Sequence, residues 1–126
     1  MNPGAYMKRI TLALAGLALT SLAGASNAAD IEAGRAVFEK FNCASCHGAD
    51  AKTSVDPSYP ILAGQHADYL KHALRAYQRG QANQSAGANV RKNPVMGAFA
   101  TQLSSRDIDD VSAWLATLPS DLATRR

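Results

Sequence analysis

Phe41–Asp50 reads FNCASCHGAD and holds both cysteines of this 126-residue chain, with one of its three histidines. Cys43 and Cys46 stand three positions apart, and His47 follows directly. On a helical turn, positions i, i+3 and i+4 share a face, so two thiols and an imidazole address a single object. A disulfide here would close only a tiny loop, and the stabilisation a disulfide gives grows with loop length. A structural zinc ion wants four ligands. The other histidines, His66 and His72, are six residues apart, about 240° around a helix, and do not converge with each other. A thioredoxin-like redox pair expects a βαβ setting, and no stretch of this chain reads as a strand.

The spacing C-x-x-C-H is the attachment pattern of c-type haem. A planar haem suits it physically: two thioether bonds hold one edge, and the imidazole reaches the central iron. The trio therefore reads as one covalent haem c on Cys43 and Cys46, with His47 as an axial ligand.

Upstream, Met1–Arg9 ends in Lys8 and Arg9, and the uncharged run ITLALAGLALTSLAG follows. Ser26 and Ala28 then fit a small-x-small cleavage site. A basic start, a short apolar run and a small-residue cut site describe a secretory signal peptide. Residues 1–28 are read as that leader and 29–126 as a single domain, with Met7 an equally good start codon. The apolar run is about 15 residues, short of the ~20 that span a bilayer, which favours cleavage over retention as an anchor. An exported chain of this kind is expected in the periplasm. About 98 residues then remain to fold, a size at which a core is marginal without help.

Charge excludes one class of partner. Without Lys8 and Arg9 the 13 basic residues become 11, against 10 acidic ones, for a net charge of +1. Nucleic-acid binding needs a concentrated basic surface, and none is apparent.

Three helical segments follow from periodicity. The first runs from about Ile31 to Phe41 behind Asp30 as N-cap, with Ile31, Gly34, Val37, Phe38 and Phe41 on one face. The second runs from about Gln65 to Arg79 with a Leu70, Leu74, Tyr77 stripe, and Gly80 is read as its terminator. The third runs from about Ser105 to Leu118. Ser104 and Asp107 resemble a capping box there, and Ile108, Val111, Leu115 and Leu118 form the apolar face with Trp114 beside them. Two long connections rich in Gly, Pro, Ala and Asn separate these segments. Structureless stretches of that length are uncommon in a compact domain, and a large apolar ligand at the centre would organise them.

The iron keeps one further position open. Apart from the leader's Met1 and Met7, the chain has one methionine, Met96 in NPVMGAF. A lone methionine commonly fills a core gap. This one is read in a loop between Pro94 and Gly97, away from any helical stripe, which favours a second axial ligand. His66 and His72 are the alternatives. His/Met ligation raises the reduction potential.

The segments AGRAVFEKFNCASCHGAD, YPILAGQHADYLKHALRAYQRGQ and NPVMGAFATQLSSRDIDDVSAWLATL, in this order, resemble the small bacterial class I cytochromes c. The nearest branches are cytochrome c-553 and the single domains of cytochrome c4. The resemblance implies an all-α fold of about three to five helices around one haem, with the first and last helices crossing through Gly34, Phe38 and Trp114. It also implies that Pro60 gives its backbone carbonyl to the outer nitrogen of His47, although a proline there equally makes a simple turn. Tyr69 and Tyr77 are within reach of a haem propionate. The family often has Gly where this chain has Ala51, which puts the shape of that turn in question.

Nothing resembles a catalytic residue set, so the expected function is one-electron transport rather than catalysis. The reading is a monomeric periplasmic shuttle in a respiratory chain, with no stable membrane span. It would accept from a quinol-oxidising complex or a dehydrogenase and donate to an oxidase or reductase. The alternatives are a haem subunit permanently bound to a periplasmic dehydrogenase, and a gas-binding sensor or haem catalyst if Met96 does not ligate. Lys71, Arg75, Arg79, Arg91 and Lys92 lie in an interval without acids, and a basic band beside the haem edge is expected to orient an acidic partner. Neutralising Arg91 and Lys92 is then expected to slow electron exchange more at low salt than at high salt.

Overall fold

The computed structural model describes residues 28–85 and 89–121. The cleaved leader read at 1–28 lies outside these residues except for Ala28. Five helices make up the described chain, and no strand occurs among the described residues. They are α1 (Ile31–Lys40), α2 (Ala44–His47), α3 (Ala67–Gln81), α4 (Pro94–Ala100) and α5 (Ser105–Thr117). The all-α expectation holds.

The most extensive helix–helix contact joins α1 to α5. Each helix is started by a side chain that satisfies its free N–H groups. The Asp30 carboxylate accepts from the Ala33 N–H at 3.0 Å, and Ser104 and Asp107 form a reciprocal capping box. The two helices touch at backbone distance because of Gly34: a Cβ there would sit 2.1 Å from the Asp110 carbonyl oxygen and 2.7 Å from the Trp114 Cβ. One turn on, the Phe38 and Trp114 rings meet with centroids 5.0 Å apart and planes tilted by 50°, a favourable aromatic geometry. Asp110 is buried in the crossing, a costly place for a carboxylate unless it is bonded. It accepts from the Asp30 backbone N–H at 2.7 Å and from Arg106 Nε at 2.8 Å. Ile31, read on the apolar face, is exposed, while Gly34, Val37 and Phe38 are buried.

Two local readings need correction. Gly80 does not end α3, which runs on to Gln81. Gly80 is buried in the helix because residues 89–92 pass over it; a Cβ there would lie 2.0 Å from the Arg91 carbonyl oxygen. Met96 is not in a loop either but in the first turn of α4. Asn93 caps that helix by accepting from the Val95 and Met96 N–H groups, each at 3.0 Å, and Pro94 takes the first helical position, where its missing N–H costs nothing. The proline and glycine that suggested a loop flank a helix of only seven residues.

Backbone bonds rather than helices order the connection between α2 and α3. The Val55 N–H reaches the Cys46 carbonyl at 3.1 Å, and the Leu62 and Ala63 N–H groups both reach the Ala51 carbonyl, at 2.9 and 3.0 Å. Ala51 is fully buried with φ +54°. The turn questioned at this position thus keeps a left-handed residue, and alanine accepts the strain, about 1–2 kcal/mol.

Among the described residues no helix is long and apolar enough to cross a membrane.

Candidate functional site

The chain leaves α1 through Asn42, whose φ of +52° suits a residue type that tolerates the left-handed region. The Cys43 N–H then bonds back to the Phe38 carbonyl at 3.1 Å, so α2 starts directly off the end of α1. The single turn of α2 brings Cys43, Cys46 and His47 to one cavity. Both thiols are free and half-buried. Burial pushes the Cys43 thiol above its ordinary value, and the neighbouring Cys46 adds to the rise. No group of three His, Cys, Asp or Glu side chains among the described residues is placed to hold a metal ion.

His47 is buried, with only 6% of its surface exposed. Its Nδ1 lies 3.1 Å from the Pro60 carbonyl oxygen. A carbonyl only accepts, so Nδ1 carries the proton and donates. Nε2 is left with its lone pair, the tautomer a metal requires, and the bond fixes the ring and strengthens its donation.

The cavity measures about 360 Å³, within the range of small-molecule and cofactor sites. The apolar stripe of α3 supplies one wall through Leu70, Leu74 and Tyr77; Leu62, Phe99 and Leu115 supply others. The stripe read from α3 therefore lines the cavity, while Leu70 and Leu74 also pack into the core shared with α1 and α5. Met96 reaches the same cavity from α4. That helix is tied to α3 by Gln78, whose Nε2 donates to the Ala100 and Leu103 carbonyls at 2.8 and 2.9 Å.

Cys43, Cys46, His47, Pro60 and Met96 thus line one cavity although they are spread over 54 sequence positions, from 43 to 96. His66 and His72, the alternatives to Met96, are exposed and do not line it. Tyr69 and Tyr77 do. Arg91, read in the basic band beside the haem edge, lines the cavity itself. Its guanidinium lies 5.4 Å from the Tyr69 ring centroid and 5.7 Å from that of Tyr77. The alternation of tyrosines on α3 with an arginine in the next connection was the available signal.

The donor set fits a haem. Two thiols on one turn, an imidazole nitrogen aimed by a backbone carbonyl and a thioether share one largely apolar pocket.

Comparison with known proteins agrees. The cytochrome c family model matches residues 31–119. The chain is 35% identical over 121 residues to the thiosulfate dehydrogenase electron acceptor of Stutzerimonas stutzeri (strain A1501), covering 90% of this chain and 50% of that protein, so it spans about half that relative's length. It is 37% identical over 75 residues to cytochrome c-554(548) of Halomonas halodenitrificans, covering 60% of this chain and 82% of the relative. It is 33% identical over 93 residues to cytochrome c-554(547) of Halothiobacillus neapolitanus, covering 72% of this chain and 99% of the relative. With the Cys43–His47 motif opening on this cavity and the family match running almost the length of the described chain, the protein belongs to the cytochrome c family, electron carriers rather than enzymes, with haem c held covalently.

Proposed function

We propose that this chain is a periplasmic one-electron carrier whose haem iron is ligated by His47 and Met96. The observation that carries the reading is the convergence on one apolar cavity of an imidazole with Nδ1 committed to Pro60 and a thioether presented by α4. When bound, haem c supplies reversible one-electron chemistry. The chain's own contributions would be these: Cys43 and Cys46 would hold the group covalently, the Pro60 carbonyl orients the His47 ring, Met96 would offer its thioether to the iron, and the leucine and phenylalanine walls would shield it from water. Low dielectric and thioether ligation together favour the reduced state.

Residues 1–28 are read as the cleaved leader and 29–126 as the working domain. Within the described residues the domain is tied at Asp30, whose N–H donates to the Asp110 carboxylate. The protein is taken to work as a monomer. A relative named as the electron acceptor of thiosulfate dehydrogenase supports a dehydrogenase as donor, with an oxidase or reductase as acceptor.

The docking face is narrower than the sequence suggests. Lys71 and Arg75 pair with Asp109, at 3.9 and 3.2 Å, and Lys71 also lies 3.6 Å from Asp68. Among the described residues Lys92 and Arg79, whose Nε donates to the Asn89 carbonyl at 2.8 Å, face no carboxylate and would meet an acidic partner. Neutralising both is expected to slow electron exchange at low salt and to have little effect at high salt; a salt dependence equal to wild type would remove them from the docking face.

Visible spectra of the reduced protein with and without carbon monoxide test the ligation. Wild type is expected to show no shift, whereas Met96→Ala is expected to bind carbon monoxide. A wild type that binds it readily would bring the sensor or catalyst reading forward.

A further inference from the structure

Along α3 the apolar stripe of Leu70 and Leu74 runs into two glutamines. Gln78 and Gln81 stand four and seven positions beyond Leu74 and so share its face. A polar side chain on such a face is costly unless it is bonded. Gln78 is bonded twice: its Nε2 donates to the Ala100 and Leu103 carbonyls at 2.8 and 2.9 Å. Both acceptors are carbonyl oxygens, so the amide must turn its nitrogen toward them, and both of its N–H groups are spent there. Ala100 is the last residue of α4, and Leu103 follows the turn that leaves it. One side chain therefore grips the far end of the helix that carries Met96.

That helix needs the grip. It has seven residues, and helices this short are not stable in isolation. Asn93 closes its N-terminal end, whereas the last carbonyls of a helix find no partner within it. Its main helix neighbour is α3. Gly97 lies so close there that a Cβ would stand 2.6 Å from Gln81 Oε1. Met96 is the residue before Gly97, so any shift of α4 against α3 carries the thioether with it. Gln78 itself does not line the cavity and acts on it through α4.

We propose that Gln78 is the positioning residue for Met96, its two hydrogen bonds holding α4 on α3 so that the thioether stays at the iron. The proposal rests on the reading that Met96 ligates, and deepens it by naming what sets the strength of that bond. An outside ligand reaches the sixth position in the fraction of molecules whose thioether has moved away, so its apparent affinity scales with that fraction. Loosening α4 raises the fraction while His47 and the cavity walls stay as they are.

The test is titration of the oxidised, haem-loaded chain with imidazole, followed by loss of the methionine–iron charge-transfer band, in wild type, Gln78→Leu, Gln78→Glu and Asp30→Ala. Leucine keeps the bulk and removes both donors; glutamate keeps the shape and turns an acceptor toward two carbonyls. Both variants are expected to bind imidazole about tenfold more tightly than wild type, the scale of one or two net hydrogen bonds, and to show a weaker band before any is added. Asp30→Ala removes the cap of α1 and lowers overall stability without touching α4; it is expected to bind imidazole as wild type does. Wild-type affinity in both Gln78 variants overturns the role of Gln78. An Asp30→Ala protein whose affinity rises as much for the same drop in melting temperature also overturns it, because the effect would then follow global stability. Gln78→Glu decides alone if the leucine variant fails to accumulate. A wild type lacking the charge-transfer band refutes Met96 ligation and the Gln78 assignment with it, a result distinct from a band that is present in wild type and unchanged in the variants.

Discussion

Asp50 closes the turn that follows the cysteine pair, and it does so as an anion. Its carboxylate accepts from the Thr53 N–H at 2.7 Å, from the Lys52 N–H at 2.9 Å and from the Thr53 hydroxyl at 2.7 Å. These bonds, the Thr53 backbone first, pull its pKa from 3.8 down to about 2. A carboxyl group whose folded pKa is depressed stabilises the fold above its unfolded pKa, and that stabilisation is lost as pH falls through the folded value. The loop is therefore expected to weaken between pH 3.8 and about 2. Thermal melts across that range should show a steeper fall for wild type than for Asp50→Asn; parallel curves would mean the turn holds without the charge. The side chain is fully exposed, so the effect belongs to the turn and not to the core. Its neighbour Ala51 shows opposing effects of similar size. A glycine would relieve about 1–2 kcal/mol of left-handed strain while giving up a buried methyl worth about 0.8 kcal/mol and some rigidity in the unfolded chain.

At the scale of elements, the α1–α5 crossing depends on one missing side chain. Gly34→Ala would drive a methyl to 2.1 Å from a backbone oxygen, a clash that no rotamer change relieves. It is expected to cost about 2–3 kcal/mol, read as a lowered midpoint in denaturant titration; a change within about 0.5 kcal/mol, the range of a neutral surface substitution, would show that the helices can separate freely. The three long helices were legible because each has an apolar period and a capping residue, and their ends fell within two residues of those read. The haem motif was legible because its chemistry is local to five consecutive residues, Cys43 to His47. What escaped was set by partners distant in sequence. Gly80 looks like a terminator until residues 89–92 lie across it, and α4 is too short for a period to emerge from PVMGAFA. The place of Arg91 in the cavity lining likewise needed the fold, since nothing in the sequence brings α3 and residues 89–92 together.

At the scale of the whole molecule, the helices pack a small core on one side and leave an apolar pocket on the other. The pocket of about 360 Å³ has walls of Leu62, Leu70, Leu74, Phe99 and Leu115, apolar surface that water would cover at about 25 cal/mol per Å² until a cofactor takes its place. The chain without its cofactor is therefore expected to lose its cooperative fold. Cys43→Ala/Cys46→Ala, which removes both attachment points, should show reduced helical circular dichroism and no sharp thermal transition; a native-like melt would mean the walls collapse onto one another. The bond from Asp30 to Asp110 spans 80 positions, and closing a loop of that length costs about 4 kcal/mol in chain entropy. That long reach also imposes an order in time. A chain is made from its N-terminus, and at roughly 5–20 residues per second the stretch from His47 to Ser105 takes on the order of 3–12 seconds to appear. For that interval α1 has no helix to lie against, and the thiols of Cys43 and Cys46 stand on a chain that cannot yet close over them.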